Sequence, residues 1–230
     1  MENSVLKTIW DGLDWSVLTD ALINILPAVL CVTLHELCHG LAAYAMGDDT
    51  AKKAGRLSLN PLRHLDPGGL VMMAVFHFGW AKPVPVNMYR FRRPKQGMAL
   101  TALAGPACNV VLSALCLFLY GLLFPSLTVK GGGDWALELL YRTAWLSTTL
   151  GVFNMIPFPP LDGSKILFSV ISDSAYEKLM HYERYGHMVL MALLFTGVLS
   201  RPLSVMTDAV FSRLFEIAEW GYELGMRFLK

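Results

Sequence analysis

Charge is scarce in this chain. Of its 230 residues only 16% are Asp, Glu, Lys or Arg, against roughly 25% in an ordinary soluble domain. Hydrophobic residues make up 54%, and the mean hydropathy is +0.46. A water-soluble fold of this length cannot hide that much apolar surface, whereas a membrane domain can, because lipid covers its outside. An excess of one sign is also missing. The net charge of +1 gives no reason to expect nucleic acid as a partner. Cysteine is sparse: Cys31, Cys38, Cys108 and Cys116 all lie in apolar stretches and form no CxxC pair. They read as small buried hydrophobes, and no disulfide framework is implied. A basic n-region followed by a compact apolar core is absent from the first twenty residues, which carry Glu2, Asp11, Asp14 and Asp20. No cleavable signal peptide is therefore expected, and Trp10 and Trp15 read as interface anchors.

Long uncharged runs are what the chain does have. A spanning helix needs about 20 mostly apolar residues. Ala21 to Gly47 qualifies, with Glu36 its only carboxylate and no Lys or Arg, and Gly47-Asp48-Asp49 reads as its stop. The charge-free stretch Gly97 to Val129 is the second candidate, with Pro125 and Gly131-Gly132-Gly133 read as its end. The third runs from about Ala136 to Pro157, where Glu138 and Arg142 stand four apart and can pair on one face. Pro67 to Ala81 is apolar but too short to cross, and Lys82-Pro83-Val84-Pro85-Val86 has prolines at alternate positions. That pattern forbids helix and suits an extended edge, so a membrane-associated strand or re-entrant region is expected here. His187 to Met206 is a candidate fourth span interrupted at Arg201-Pro202, and residues 207–230 suit an interfacial amphipathic helix. The expected fold is an all-α, multi-pass membrane protein forming a single domain over 1–230. Its catalytic core lies at about 21–170 and its additional helices at about 171–230. The basic loops carry Lys52, Lys53, Arg56, Arg63, Lys82, Arg90, Arg92, Arg93 and Lys95. They predict a plasma-membrane protein with its N-terminus outside and these loops cytoplasmic.

Ionisable groups at membrane depth are expensive and mark function by default. His35-Glu36-Leu37-Cys38-His39 lies in the later part of the first span, toward the cytoplasmic half. On a helix, residues four apart share one face about 6 Å apart along the axis, so both imidazoles can reach one ion. Glu36 falls beside that ion, in the position of the general base of an HExxH metalloprotease. Catalytic zinc takes three protein ligands and a water. Asp162 is the best third ligand, because Pro157, Pro159 and Pro160 break the preceding helix and Gly163 permits a tight turn. Asp66, in a polar loop among basic residues, is a weaker choice. Asn109 and Asn154 are candidate donors to a developing oxyanion or to substrate backbone, or else helix–helix hydrogen bonds. His64 and His77 are lone histidines, better read as structural.

Together, the HExxH, Gly105-Pro106-Ala107-Cys108-Asn109, and Asn154-x-x-Pro157-x-Pro159-Pro160-Leu161-Asp162-Gly163 resemble the site-2 protease family of intramembrane zinc metalloproteases. Gly55-Arg56-Leu57-Ser58-Leu59-Asn60-Pro61 and Gly79-Trp80-Ala81-Lys82-Pro83-Val84-Pro85-Val86-Asn87 look like its compact prokaryotic branch, without a PDZ-sized insertion. The resemblance spans roughly residues 25–170. It implies a three-helix catalytic core cutting transmembrane segments of other proteins, with one Zn2+ on His35, His39 and Asp162 and Glu36 as base. It also implies that the segment around Val84 and Val86 pairs with an unwound substrate, which is strand addition. The runner-up reading is a membrane zinc transporter or metal-binding protein. Against it, the outer side offers few further ligands, and Glu36 is unnecessary for binding alone. An inactive helix-binding scaffold is a third reading, disfavoured because all four catalytic residues are present. The partners expected are transmembrane protein substrates and the bilayer itself.

Overall fold

The structure, a computed structural model, describes residues 15–66, 68–69, 82–130 and 134–228. Helix α1 runs Trp15–Ala45 and is followed by the single turn α2, Thr50–Lys53. Helices α3 (Pro94–Lys130) and α4 (Asp134–Asn154) come next, then short α5 (Asp162–Phe168), α6 (Asp173–Phe195) and α7 (Ser200–Phe228). The expected stop of α1 forms. Gly47 takes φ +105°, the Asp48 amide bonds the Ala43 carbonyl at 2.9 Å, and the Gly47 amide bonds Tyr44 at 3.1 Å. This is the Schellman arrangement, which needs a residue without Cβ at the left-handed position.

Two helices are long and apolar enough to cross a membrane, Ile25–Ala45 and Pro94–Thr128. A third crossing results if Tyr185–Phe195 and Ser200–Phe228, bent by 88° at their junction, count as one broken span. The third span expected from sequence forms as α4 but falls outside that set. It carries the Glu138–Arg142 ion pair at 2.5 Å and the hydroxyls of Thr143, Ser147, Thr148 and Thr149. Helix α4 packs against both α1 and α3 and meets α3 along a polar seam, with Ser113 and Thr148 hydroxyls 2.8 Å apart.

Two further expectations are corrected. Pro125 does not end α3, which continues to Lys130; in lipid no water competes for the backbone, and neighbouring groups absorb the lost bond. The break near residue 200 falls at Thr196–Leu199, with Gly197 at φ +71°. Arg201-Pro202 lie instead in the first turn of α7, where a missing N–H costs nothing. Residues 207–228 form a helix that packs one face on the bundle. Thr207, Phe211, Ala218, Gly221 and Gly225 are buried against the bundle. Phe211 sets its ring edge-on to Trp145 at 4.9 Å and to Tyr141 at 5.6 Å. The apolar core of Cys31, Leu112, Cys116, Leu117, Ala144, Phe211 and Ala218 thus draws on α1, α3, α4 and α7.

No sheet is present among the described residues. Pro67 and residues 70–81, the bulk of the expected re-entrant region, lie outside them. Lys82–Asn87 has no regular secondary structure and joins no sheet among the described residues. Pro83 and Pro85 have no amide to offer, and the remaining donors go elsewhere. Lys82 N–H bonds the His64 carbonyl at 2.8 Å, Val84 N–H bonds Glu36 at 2.9 Å, and Asn87 N–H bonds Asp48 at 2.6 Å. The segment is a strap laid across the end of α1 and held largely by carboxylates.

Candidate metal centre

Each site residue owes its place to a local sequence feature. His35 and His39 stack one turn apart on α1, rings 4.5 Å between centroids and nearly perpendicular. Helix α3 crosses directly over them at Gly105, where an added Cβ would lie 2.4 Å from His39 Nε2 and 2.7 Å from His35 Cε1. Only glycine allows that approach. Asp162 arrives from the far end of α4 through the proline-broken loop and opens α5. Gly163 makes the reversal, because a Cβ there would meet the Met155 carbonyl oxygen at 2.3 Å. Helix α6 braces the loop, with Gly186 against the Pro159 carbonyl.

The outcome is a convergence of three ligand atoms. His35 Nε2 and His39 Nε2 are 2.9 Å apart, and each lies 3.1 Å from Asp162 Oδ2. All three residues are buried. Lys165, one turn on in α5, sets its Nζ 3.5 Å from the other carboxylate oxygen, Oδ1.

The hydrogen bonds behind the rings test whether a metal suits this set. His39 Nδ1 lies 2.7 Å from the Thr101 carbonyl oxygen. A carbonyl only accepts, so Nδ1 carries the proton and Nε2 presents a lone pair. In the neutral ring that lone pair faces carboxylate Oδ2 at 3.1 Å, a contact between two acceptors that a bound cation or a second ring proton relieves. Two imidazoles and one carboxylate, with no thiolate, form the donor set of a catalytic zinc that keeps one position open. At Zn–ligand distances of 2.0–2.1 Å, tetrahedral ligand atoms stand about 3.3 Å apart, close to the observed 2.9–3.1 Å. The residues fit zinc.

Glu36 and the histidines share a cavity of about 300 Å3. Pro83, Val84 and Val86 of the strap form one wall, Met98, Thr101 and Ala102 of α3 another, and Asn154, Pro160, Asp162 and Lys165 the remainder. Glu36 Oε2 accepts the Val84 amide. Val84 itself is buried against Gly40, where an added Cβ would lie 3.4 Å from its Cγ1.

The other candidates are distributed as follows. Asn154 lines the cavity, but its Nδ2 donates to the Leu150 carbonyl of its own helix at 3.0 Å. Asn109 is fully buried behind His35, with Nδ2 3.3 Å from Nδ1, and does not line the cavity. His64 is buried with Nε2 on the Ser58 carbonyl at 2.8 Å. Asp66 is not among the residues converging on the site, and His77 lies outside the described residues. Sequence reasoning missed Thr101, whose contribution is a backbone carbonyl that any residue could supply. It also missed Lys165, which three-residue spacing from Asp162 on a helix could have flagged.

Residues 133–197 match the family model described as peptidase family M50. Over 202 residues the chain is 36% identical to "Putative zinc metalloprotease YwhC" of Bacillus subtilis, an alignment spanning 84% of this chain and 92% of that protein. It is 29% identical over 178 residues to "Putative zinc metalloprotease Rip2" of Mycolicibacterium smegmatis, spanning 75% of this chain and 66% of the other. A zinc metalloprotease of Methanocaldococcus jannaschii is 26% identical over 182 residues, or 78% of this chain and 44% of that one. No solved structure matches.

Proposed function

The chain belongs to the M50, or site-2 protease, family of zinc metalloproteases, and from that premise we propose that it cuts peptide bonds of membrane proteins within or beside their transmembrane segments. It is a zinc-dependent protease with at least two membrane-compatible helices; the place of cleavage and the residue roles are the proposal. The observation that carries it is the meeting of His35, His39 and Asp162 ligand atoms beside Glu36 on one buried cavity.

His35, His39 and Asp162 would hold the zinc. When bound, zinc supplies a Lewis acid that polarises a carbonyl and lowers the pKa of water toward about 7. Glu36 takes the proton of the attacking water and passes it to the leaving amide nitrogen. The Val84 amide holds one Glu36 oxygen, and Glu36 lines the cavity. Lys165 holds Asp162 by Oδ1, keeping Oδ2 for the histidines. A helical substrate shields its backbone, because each carbonyl in its interior is bonded to the amide four residues on. It must therefore unwind to be cut, and helix-breaking residues near the cut should speed the reaction. The basic residues gather around the end of α1 and the start of α3, which supports placing that end, and the site, toward the cytoplasm.

The test is incubation of the purified chain in detergent with single-span substrates, alone, with a chelator, and as Glu36→Gln. New fragments in the first sample only are expected. Fragments persisting in both other samples would sink the assignment.

A further inference from the structure

His39 and His35 differ in what stands behind them. His39 has a backbone carbonyl, whose polarity is fixed. His35 has the side-chain amide of Asn109, which can present either an acceptor or a donor. A neutral imidazole that ligates through Nε2 carries its proton on Nδ1, so His35 needs an acceptor there. Asn109 Nδ2 lies 3.3 Å from His35 Nδ1, while Asn109 Oδ1 is buried without a hydrogen-bond partner. Amide oxygen and nitrogen are nearly equivalent in shape, and a half-turn exchanges them.

Resting on the zinc centre proposed above, we infer that Asn109 is a positioning residue for His35: its Oδ1 accepts the Nδ1–H and so fixes the ligating tautomer. The backbone beneath Asn109 is suited to that task. Ser147 Oγ on α4 donates to the Asn109 carbonyl at 2.8 Å. Helix α4 thus acts on the metal centre twice, through Asp162 beyond its end and through Asn109 at its middle. This assigns to Asn109 a role behind a ligand rather than contact with substrate.

The experiment measures zinc affinity of the full-length protein in detergent by chelator competition, together with the d–d spectrum of the Co2+-loaded protein. Asn109→Leu removes the acceptor and should weaken zinc binding about 10- to 100-fold, with a shifted Co2+ spectrum. Asn109→Asp is isosteric and can only accept, so it should bind zinc at least as tightly as the parent. Asn109→Leu matching the parent, or a folded Asn109→Asp as weak as Asn109→Leu, overturns the inference. If Asn109→Leu does not fold, Asn109→Asp decides alone: retained affinity supports the role and lost affinity rejects it. His35→Ala separates the two levels, because parent-like zinc binding in that variant would remove the centre itself.

Discussion

Gly105 and Gly121 of helix α3 are both approached closely by other helices, for different reasons. At Gly105 the neighbours are imidazole ring atoms, 2.4–2.7 Å from where a Cβ would be. At Gly121 the neighbour is backbone, the Ala218 carbonyl oxygen, at 1.9 Å from such a Cβ; Gly221 and Gly225 face Phe118 and Leu122 from the α7 side. The second crossing is a small-residue helix seam of the kind that lets backbones touch in lipid. The first makes room for the rings of His35 and His39. Spacing alone does not separate them: Gly221-x-x-x-Gly225 and Gly105 both look like packing positions, and only the neighbour's chemistry tells which serves the reaction.

Substitutions should pull the two crossings apart. The largest effect is expected from Glu36→Gln at the ligand crossing. Cleavage should fall about 10²- to 10⁴-fold, while zinc content measured by atomic absorption stays at one per chain; a variant that loses its zinc would make Glu36 a ligand instead. Gly105→Ala comes next. Its methyl displaces the rings, and activity should drop about 100-fold, the cost of a displacement near 1 Å, with little change in thermal unfolding. A large loss of stability there would erase the distinction between the crossings. Gly121→Ala should do the reverse, lowering stability by about 1–3 kcal/mol while zinc affinity per folded molecule is unchanged.

The smallest effect is expected at Asp48, which anchors the strap away from both crossings. Burial pushes its carboxyl upward, but the Thr50 hydroxyl, the Asn87 and Thr50 amides and Arg90 together hold it below the ordinary 3.8. A carboxyl with a depressed folded pKa stabilises fully above its unfolded value, and that stability is lost as pH falls through the folded one. Asp48→Asn should therefore cost about 1 kcal/mol at neutral pH. Its deficit relative to the parent should shrink as pH drops below 3.8. A deficit that does not vary with pH would mean the carboxylate's charge is irrelevant to the strap.

Much of the layout was legible because it depends on local chemistry. The helical pair His35 and His39, the glycine stop after Ala45 and the proline break before Asp162 are properties of short stretches of chain. The errors arose where a neighbour overrode a local signal. Pro125 stays helical with its own ring buried against neighbouring side chains, and α7 is clasped to α3 because glycines at matching heights allow contact. Lys82–Asn87 stays unpaired because Glu36 and Asp48, distant in sequence, take its amides.

By itself, the amino-acid order determined that the chain suits lipid, that two imidazoles and a carboxyl set in apolar stretches call for a cation, and that Glu36 stands beside them. Those facts follow from side-chain chemistry and the 3.6-residue turn. Only the tertiary structure decided what lies behind the ligands: the Thr101 carbonyl, the Asn109 amide, the Lys165 ammonium and the space kept open by Gly105. A carbonyl's direction and the gap between two helices depend on how whole elements pack, and no local pattern of residues encodes them.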